Sequence, residues 1–302
     1  MLDSRKYAPG QWQEMKELSH SATKLRIMAF NVLFDIKDND LAQKHRWPNR
    51  LPHVLQTIKK IKPDVFAVQE PQLNQTKDLK EKLNDYAFIS SSEVMRSYRP
   101  KENLDDGIFY NKDRIKLVSS GVLYVSPPGI KLKFPLTVQI AHFKDKSSGK
   151  TFGVIATHMD YFSPTVREHT AALICKLANE YFYDQPVIAL GDFNLFPHRP
   201  DKEFPFYDAE YIERKFCDTC NLKNSRRLAV FGHLGPLSTF TNSEQDMRKP
   251  FSGLGVPGVE LDQIYVRGNN VSVLSHVTYG EVFPNNEYAS DHFPVFIDLV
   301  FK

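Results

Sequence analysis

The sequence predicts a layered α/β fold in which β-sheets are covered by helices. Short apolar runs typical of buried strands alternate with helical apolar spacing in both halves of the 302-residue chain. The composition, 41% hydrophobic and 25% charged, is that of an ordinary globular protein. A chain of this length buries about three quarters of its unfolded surface, and no repeat or linker divides it. We therefore expect one domain over residues 25–302, after a polar lead-in or tail at residues 1–24.

The first part of the chain predicts two strands and two helices in alternation. Residues 25–30 form a predicted strand, and the helix after it ends at Pro63. Residues 64–69 (DVFAVQ) suit a strand buried on both faces. A second helix follows, with Asn74 as its predicted N-cap. The apolar face of the first helix consists of Leu51, Val54, Leu55, Ile58 and Ile61, and that of the second includes Leu79 and Leu83.

The rest of the chain predicts more strands than helices. One long helix over residues 165–183 has Val166, Leu173, Ile174 and Leu177 on its apolar face. Strands are predicted before it at 107–110, 115–117, 122–125, 136–141 and 151–157, and after it at 186–190, 261–266, 271–274 and 293–300. Loops are predicted from residue 191 to about residue 259.

Charge and targeting signals limit the classes of protein. The net charge of +3 is too small for a surface that binds nucleic acid throughout, although it leaves room for a local basic patch. No segment approaches the about 18 apolar residues of a membrane span. Residues 1–24 lack the apolar stretch of a signal peptide. We therefore expect a soluble, cytoplasmic protein without a membrane span or an obligate protein partner.

The three cysteines predict reduced thiols. An odd, sparse set provides no disulfide framework. Cys217 and Cys220 form a C-x-x-C pair, but a structural zinc site needs a second pair of ligands nearby. Cys175 falls on the apolar side of the long helix, so we expect it in the core.

Polar side chains follow one apolar strand after another. In open α/β sheets, ligands bind outside the carboxyl ends of the strands. A single polar strand end means little, but several with complementary chemistry predict a functional site. These residues are Asn31 after RIMAF, Glu70 after DVFAVQ, His158 after FGVIAT, Asp192 and Asn194 around the end of VIALG, Asp262 in VELDQIYV, and Asp291 and His292 in ASDHFPV.

The residue types predict metal-assisted hydrolysis of a phosphoester. Glu70, Asp291 and Asn31 offer the hard oxygen ligands that Mg²⁺ prefers. A carboxylate that deprotonates water and imidazoles that donate to phosphoryl oxygens complete the requirements. His158 and His292 are the titrating donors of these segments. A serine or cysteine nucleophile fits worse, because no G-x-S-x-G motif occurs and no cysteine joins this set.

The motifs together resemble the endonuclease/exonuclease/phosphatase superfamily of deoxyribonuclease I-like enzymes. They occur in the family order and span residues 25 to 300. The resemblance implies a four-layered α/β sandwich with two central mixed β-sheets flanked by helices, and Mg²⁺ or Mn²⁺ as cofactor. The motifs are AFNVL (Asn31), VQEPQ (Glu70), DDGIFYN (Asp106), ATHMDY (His158), ALGDFNLFP (Asp192, Asn194), ELDQIYV (Asp262) and SDHFPV (Asp291, His292).

The resemblance also implies a role for each residue. Glu70 and Asp291 would ligate the metal, with Asn31 nearby. Asp192 would orient or deprotonate the attacking water, and Asn194 would hold a phosphate oxygen. His292, oriented by Asp262, would stabilise the transition state. His158 would hydrogen-bond the phosphate or serve the leaving group.

Some positions remain open between a functional and a structural role. Asp106 suits a turn as well as a substrate contact, and Arg167 could reach a substrate phosphate or a neighbouring carboxylate. Glu260 stands where many relatives have a basic residue, and THMDY with Arg167 downstream most resembles bacterial metal-dependent hydrolases. Basic pairs at 226–227 and 248–249 are more typical of solvated loops than of a nucleic-acid groove. Phe240 and Phe251 near them suit base stacking or the core.

We therefore predict a Mg²⁺-dependent phosphoesterase that hydrolyses a phosphodiester, with nucleic acid or a nucleotide as the first choice of substrate. A phosphomonoesterase and a phospholipid hydrolase, either sphingomyelinase-like or acting on inositol phosphates, are the alternatives within the enzyme class. A non-catalytic scaffold that keeps the fold is the alternative from another class. The intact Asp192 and the Asp291–His292 pair favour an enzyme.

Overall fold

The computed structural model describes residues 24–35, 45–195, 208–240, 260–284 and 287–302. Within the predicted lead-in, all residues but Lys24 lie outside the described residues, as do Arg248, Lys249 and Phe251.

The strands form two sheets. The strands are β1 (Leu25–Asn31), β2 (Val65–Gln69), β3 (Tyr86–Ser90), β4 (Gly107–Asn111), β5 (Ile115–Tyr124), β6 (Thr137–Asp145), β7 (Thr151–His158), β8 (Val187–Asp192), β9 (Lys223–Asn224), β10 (His233–Leu234), β11 (Asp262–Arg267), β12 (Val271–Thr278) and β13 (Val295–Phe301). A seven-stranded sheet has the order β10-β12-β13-β1-β2-β4-β3, and a six-stranded sheet has the order β5-β6-β7-β8-β11-β9. Both sheets are mixed, because β1 and β2 are parallel, as are β7 and β8, within mostly antiparallel neighbours.

The helices are α1 (Trp47–Ile61), α2 (Leu73–Lys82), α3 (Ser92–Tyr98), α4 (Pro164–Lys176), α5 (Asp208–Cys220) and α6 (Ser225–Leu228), and a π-helical turn, Leu177–Tyr181, continues α4.

Alternation along the strands divides the core into layers. On β1, Leu25, Ile27 and Ala29 belong to the core between the two sheets, which also contains Val154 and Ile188 of the six-stranded sheet. The other face of β1 contributes Met28 and Phe30 to a core with Trp47, Val54 and Ile58 of α1. Residues of α4 and α5 pack on the outer face of the six-stranded sheet, among them Ile174 and Phe216. The predicted four-layered sandwich is confirmed.

Several elements differ from the predictions. Residues 115–117 and 122–125 belong to one strand, β5, whose pairing with β6 shifts between Leu117 and Ser119. The predicted loop region contains α5, which buries Ile212, Phe216 and Cys220 at helical spacing. Helix α2 begins at Leu73, so the predicted cap at Asn74 is wrong. The Gln72 backbone N–H donates to Oε1 of Gln75 at 3.0 Å as part of a capping box.

The cysteines also differ from the prediction. Cys175 of α4 and Cys220 at the end of α5 form a disulfide across a Cα–Cα distance of 5.2 Å, while Cys217 is free and exposed. The two helices lie side by side on the six-stranded sheet, which brings together residues that are 45 positions apart in the sequence. The expectation of three reduced thiols is therefore wrong.

None of the helices within the described residues is long and apolar enough to cross a membrane.

Candidate active site

The polar strand ends meet at one edge of the two stacked sheets. Asn31 ends β1 and Glu70 follows β2, which is parallel to it. His158 and Asp192 end the parallel strands β7 and β8 and are Cα partners. Asp262 begins the antiparallel strand β11 directly opposite Asp192. Each sheet therefore contributes side chains to the same place, as expected for ligand sites at the carboxyl ends of strands.

Asn31 links the carboxylates of the two sheets. Its Oδ1 accepts a hydrogen bond from the backbone N–H of Leu33 at 3.0 Å. Since that partner can only donate, the amide nitrogen must face the site, where it donates to Oε1 of Glu70 at 3.0 Å and Oδ2 of Asp192 at 3.1 Å. Asn31 was predicted to lie near the metal as a ligand. Its orientation instead supports a role in positioning the two carboxylates.

Glu70 has an unusual backbone conformation at the site. Its φ of 68° lies in the left-handed region, which is uncommon for a residue other than glycine. Its backbone N–H donates to Oδ1 of Asp106 at 2.7 Å. Burial raises the pKa of Glu70, and the nearby charge of Asp291 raises it further, although His158 opposes this. Asp106 thus holds the turn that directs Glu70 into the site.

The donor set fits a hard divalent cation. Glu70, His158 and Asp192 offer ligand atoms within 4.8 Å of one another, and so do Asp192, Asp262 and His292. Asp291 adds a carboxylate whose charge acts on Glu70. Carboxylates crowded in a buried site repel one another, and a bound cation relieves that repulsion. Mg²⁺ and Mn²⁺ prefer the carboxylate oxygens of this set, whereas the two imidazoles suit softer metals.

Two imidazoles flank Asp192. Its Oδ2 lies 3.7 Å from Nε2 of His158 and 3.8 Å from Nε2 of His292. Burial alone lowers the pKa of a histidine, but Asp192 and Asp106 outweigh it and raise the pKa of His158. Nδ1 of His158 lies 4.0 Å from Oδ2 of Asp106. Both rings therefore lie within ion-pair distance of the Asp192 carboxylate but beyond hydrogen-bond length.

His292 is held by Asp262. Its Nδ1 lies 2.7 Å from Oδ2 of Asp262, which fixes the ring orientation and leaves Nε2 facing the site. Burial opposes the charged ring, but Asp262 outweighs it, with help from Asp192, and raises the pKa of His292 well above its usual value. Thr239 supports this pair, because its Oγ1 accepts from the backbone N–H of Asp262 at 3.1 Å. The ring of Phe240 meets the His292 ring edge-on at 5.0 Å.

Asn194 and Asp192 are joined by a turn rather than by a continuing strand. Strand β8 ends at Asp192, and Asn194 has a φ of 49°. The backbone N–H of Asn194 donates to Oδ1 of Asp192 at 2.9 Å, and its side-chain amide donates to the carbonyl of Met159 at 2.9 Å. Asn194 therefore positions Asp192 and the segment after His158. Its predicted contact with a phosphate oxygen stays a prediction.

Arg167 lies in the first turns of α4, nine residues after His158. It is buried at the start of α4, and its Nη1 donates to the carbonyls of Asp160 and Tyr161 at 2.7 and 3.1 Å. This geometry supports a role in shaping the loop after His158. Its predicted contact with a substrate phosphate stays a prediction.

The sequence did not single out Arg50, which lies under the site. Its guanidinium is fully buried on α1 and donates to carbonyls of three segments. The acceptors are His45, then Val32, Leu33 and Phe34, which follow Asn31, and Ala289, which precedes the Ser290-Asp291-His292 segment. Burial lowers the pKa of Arg50 to about 10, against the charges of Asp291, Asp35 and Glu70. The available signal was a charged residue at helical spacing from the apolar Val54.

The basic pair at 226–227 is neutralised locally. Nη1 of Arg226 lies 2.7 Å from Oε2 of Glu260, and Nη2 of Arg227 lies 3.0 Å from Oε2 of Glu213. The unusual acid at position 260 thus has a basic partner, and both arginines, which lie on the short helix α6, are paired with acids rather than left free for a nucleic-acid groove.

Solved structures with this fold cover most of the chain. An endonuclease/exonuclease/phosphatase from Bacteroides vulgatus is 25% identical, with a TM-score of 0.74 over 93% of this chain and 100% of that one. A mannosyl-6-phosphatase from Bacteroides thetaiotaomicron is 24% identical, with a TM-score of 0.73 over 92% and 100%. D. rerio TDP2, complexed with single-strand DNA product, is 18% identical, with a TM-score of 0.66 over 92% and 99%. No curated protein matches the sequence significantly.

The family model described as the endonuclease/exonuclease/phosphatase family matches residues 28–292. This match extends from β1 to His292, just before β13, and so includes every polar strand end described above. The chain therefore belongs to the endonuclease/exonuclease/phosphatase family, a family of phosphoester hydrolases.

Proposed function

We propose that this protein is a Mg²⁺-dependent phosphodiesterase that acts on nucleic acid or a nucleotide. The observation that carries the proposal is the position of Asp192, whose Oδ2 lies within 3.8 Å of both His158 and His292 and accepts a hydrogen bond from Asn31. A carboxylate so placed suits the activation of water, and the flanking imidazoles suit the stabilisation of charge on a phosphoryl group.

In the proposed mechanism, Glu70 and Asp291 would hold the metal, which would supply charge neutralisation for the phosphoryl oxygens. Asp192 orients a water molecule for in-line attack on phosphorus and accepts its proton. His292, oriented by Asp262 through the 2.7 Å contact, donates to a phosphoryl oxygen. His158 donates to the phosphate or to the departing alcohol oxygen. The Asn31 amide donates to both Glu70 and Asp192 and so fixes the two carboxylates relative to each other.

A phosphomonoesterase that acts on a sugar phosphate is the second candidate. It is favoured by the whole-chain likeness to the mannosyl-6-phosphatase, which aligns over 100% of its own length. The two candidates share the machinery around Asp192 and differ in whether one or two alcohols are esterified to the phosphate.

Hydrolysis of bis(p-nitrophenyl) phosphate and p-nitrophenyl phosphate by the full-length protein tests the proposal. We expect turnover that requires Mg²⁺ or Mn²⁺ and is abolished by EDTA. A preference for the diester supports the phosphodiesterase, and turnover of the monoester alone supports the second candidate. Metal-independent turnover, or no turnover of these esters or of oligonucleotides, would contradict the proposed function.

Substitution of the proposed catalytic groups gives a sharper test. Asp192→Ala and His292→Ala should each lower kcat by about 10² to 10⁴-fold, because each removes a group that acts only in the transition state. Asp184→Ala is the matched control, since this exposed acid lies near the start of β8, at the opposite end of the sheet. Near wild-type turnover in a folded Asp192→Ala or His292→Ala variant would remove that residue from the mechanism.

A further inference from the structure

A group of exposed aromatic side chains stands beside the candidate active site. Phe134, Tyr161 and Phe162, here called the aromatic rim, are 49%, 41% and 44% exposed. The rings of Phe134 and Phe162 lie 6.1 Å apart and nearly parallel, at 22°. The Tyr161 ring meets Phe162 edge-on at 5.1 Å. Contiguous exposed rings of this kind often mark a binding surface.

The rim lies at the catalytic edge of the six-stranded sheet. Tyr161 and Phe162 follow shortly after His158, the last residue of β7. Phe134 precedes the start of β6, and the pairing of Val138 with Thr157 places that start beside the end of β7. The two loops that carry the rim therefore leave the sheet next to His158.

Hydrogen bonds hold the loop that presents Tyr161 and Phe162. Oδ1 of Asp160 accepts from the backbone N–H groups of Phe162 at 2.8 Å and Ser163 at 2.6 Å. Arg167 donates to the carbonyls of Asp160 and Tyr161. These buried polar groups fix the turn after His158 and leave the rings of Tyr161 and Phe162 exposed to solvent. They also give Asp160 and Arg167 a role that the catalytic geometry left open.

The second loop is held in a similar way. Nη1 of Arg99 donates to the carbonyl of Lys133 at 2.8 Å, and its Nη2 donates to the carbonyl of Leu132. Phe134 is therefore presented by a segment that an arginine fixes, as Phe162 is. A ligand that stacks on rings already held in place loses less entropy on binding than one that must order a loop.

Positive charge accompanies the rings. Nζ of Lys133 lies 3.9 Å from the centre of the Phe162 ring and 5.8 Å from that of Phe134. Lys131 of the same loop is exposed. Aromatic rings interleaved with basic side chains are the combination by which proteins bind single-stranded nucleic acid, since the bases stack and the phosphates are neutralised.

We propose that the aromatic rim binds the base of the nucleotide that adjoins the scissile phosphate, and that Lys133 neutralises the neighbouring phosphate of the same strand. Phe134 and Phe162 supply the ring faces. Asp160, Arg99 and Arg167 act as positioning residues for the rim. The proposal deepens the proposed function by naming single-stranded nucleic acid as the substrate class, and its use in catalysis rests on that function.

Binding of a fluorescein-labelled single-stranded hexanucleotide, followed by fluorescence anisotropy with EDTA present, tests the rim without turnover. We expect Phe162→Leu and Phe134→Leu to weaken binding about 10-fold, because each loses a stacking face while staying apolar. Phe162→Tyr should bind like the wild type, since it keeps the ring. Tyr183→Ala is the matched control, an exposed aromatic residue between β7 and β8 at the opposite end of the sheet.

A hexamer of the same length and label without bases separates stacking from charge. It should bind weakly and equally to the wild type and to Phe162→Leu, whereas Lys133→Met should weaken both hexamers. If Phe162→Leu weakened the binding of both hexamers equally, or weakened neither, the proposed role of the aromatic rim would be wrong. Tighter binding of a hexose 6-phosphate than of the hexamer, lost in Phe162→Leu, would also overturn it in favour of a sugar site.

Activity and binding can fail separately. If metal-dependent hydrolysis is absent but the base-dependent binding stands, the proposed function is wrong and the rim is a nucleic-acid site of another kind. If diesters are hydrolysed but binding ignores the rings, the function stands and the rim proposal falls.

Discussion

Arg50 shows how much of the candidate site depends on a residue that cannot reach the substrate. Its guanidinium occupies the space between the chain that leaves β1 and the chain that enters the Asp291–His292 segment, and it donates to carbonyls of both. Those carbonyls are buried, so water does not replace a lost donor. The charge also lies among the acids, because Asp291, Asp35 and Glu70 each favour its protonated form.

Replacement of Arg50 should therefore cost more stability than replacement of an exposed arginine. We expect Arg50→Met to lower the free energy of unfolding by about 3 to 5 kcal/mol, because several buried carbonyls and carboxylates lose their partner at once. Arg50→Lys should cost less, since one ammonium satisfies part of the set. Urea unfolding followed by circular dichroism gives both values.

Arg96→Met, at an exposed position of α3, is the control and should change stability by less than about 0.5 kcal/mol. An Arg50→Met variant as stable as this control would mean that the carbonyls find other partners.

The sequence indicated the polar residues that converge at the candidate site better than it indicated the residues that hold them in position. Glu70, His158 and Asp192 could be identified because each follows an apolar run, a pattern visible within a few positions. The amide orientation of Asn31 depends on a backbone N–H, and the contacts of Arg50 and Arg167 depend on backbone carbonyls. Nearly every residue has both groups, so no residue type marks such a partner. The sequence therefore contains little local signal for such contacts.

At the scale of elements, the parallel pair β7 and β8 is the part of the fold on which the site depends most. Gly191, the residue before Asp192, has a φ of 143°, and a Cβ built there would lie 1.9 Å from the carbonyl oxygen of Thr157 on β7. The two strand ends approach each other so closely at this point that no other residue fits. This approach sets His158 beside Asp192.

Gly191→Ala should lower both stability and activity. We expect a loss of about 2 to 4 kcal/mol in the free energy of unfolding from the positive φ and the backbone clash. Turnover of the folded fraction should also fall, because the strand ends must separate. Thermal unfolding and kcat measured on the same preparation test this.

Gly121→Ala on β5 is the matched control. Its φ is not in the left-handed region, and the nearest atom to an added Cβ is a side-chain carbon of Ile140 at 3.4 Å. That variant should unfold within about 1 kcal/mol of the wild type. Equal effects of the two substitutions would contradict the close approach at Gly191.

Elements with regular burial were predictable, and those without it were not. Strand β1 is an almost continuous buried apolar run, and helix α1 buries apolar residues at helix spacing, so both patterns are clear. Strand β3 is an edge strand in which Ile89 is the buried residue, which leaves little alternation to detect. Helix α5 has its apolar residues four positions apart within a polar stretch, a weaker signal than a full amphipathic face.

At the scale of the whole molecule, a second pair of histidines couples stability to pH. His276 of β12 is buried, and its Nδ1 lies 2.9 Å from Nδ1 of His233, so one of the two nitrogens must lack a proton. Burial, together with the charges of His233 and Arg226, lowers the pKa of His276 to about 3. In the unfolded chain the same imidazole titrates near its usual value of about 6.5.

The sign of the pH dependence follows from these values. Between about pH 6.5 and pH 3 the unfolded chain binds a proton at His276 that the folded protein does not bind, so stability falls as the pH falls. Above about pH 6.5 this contribution is complete. We expect His276 to contribute a loss of about 2 kcal/mol between pH 6.5 and pH 5, measured by urea unfolding as the difference between the wild type and His276→Leu at each pH.

A His276→Leu variant isolates this contribution, because it keeps an apolar side chain in the buried position and has nothing to titrate. Its stability should depend less steeply on pH than that of the wild type over this range. Identical slopes for the two proteins would show that His276 does not titrate as the geometry implies.

The hydrogen bonds of Asn31 span the boundary between two separately hydrogen-bonded sheets. Stacked sheets are held about 10 Å apart by the side chains between them, which here include Ile27, Val154 and Leu190. The bulk of these hydrocarbon groups thereby acts as a spacer that sets the gap across which a phosphate must fit. Substitutions in that layer can tune the rate without altering any polar group, so a search for faster variants should include the interior as well as the rim of the cleft.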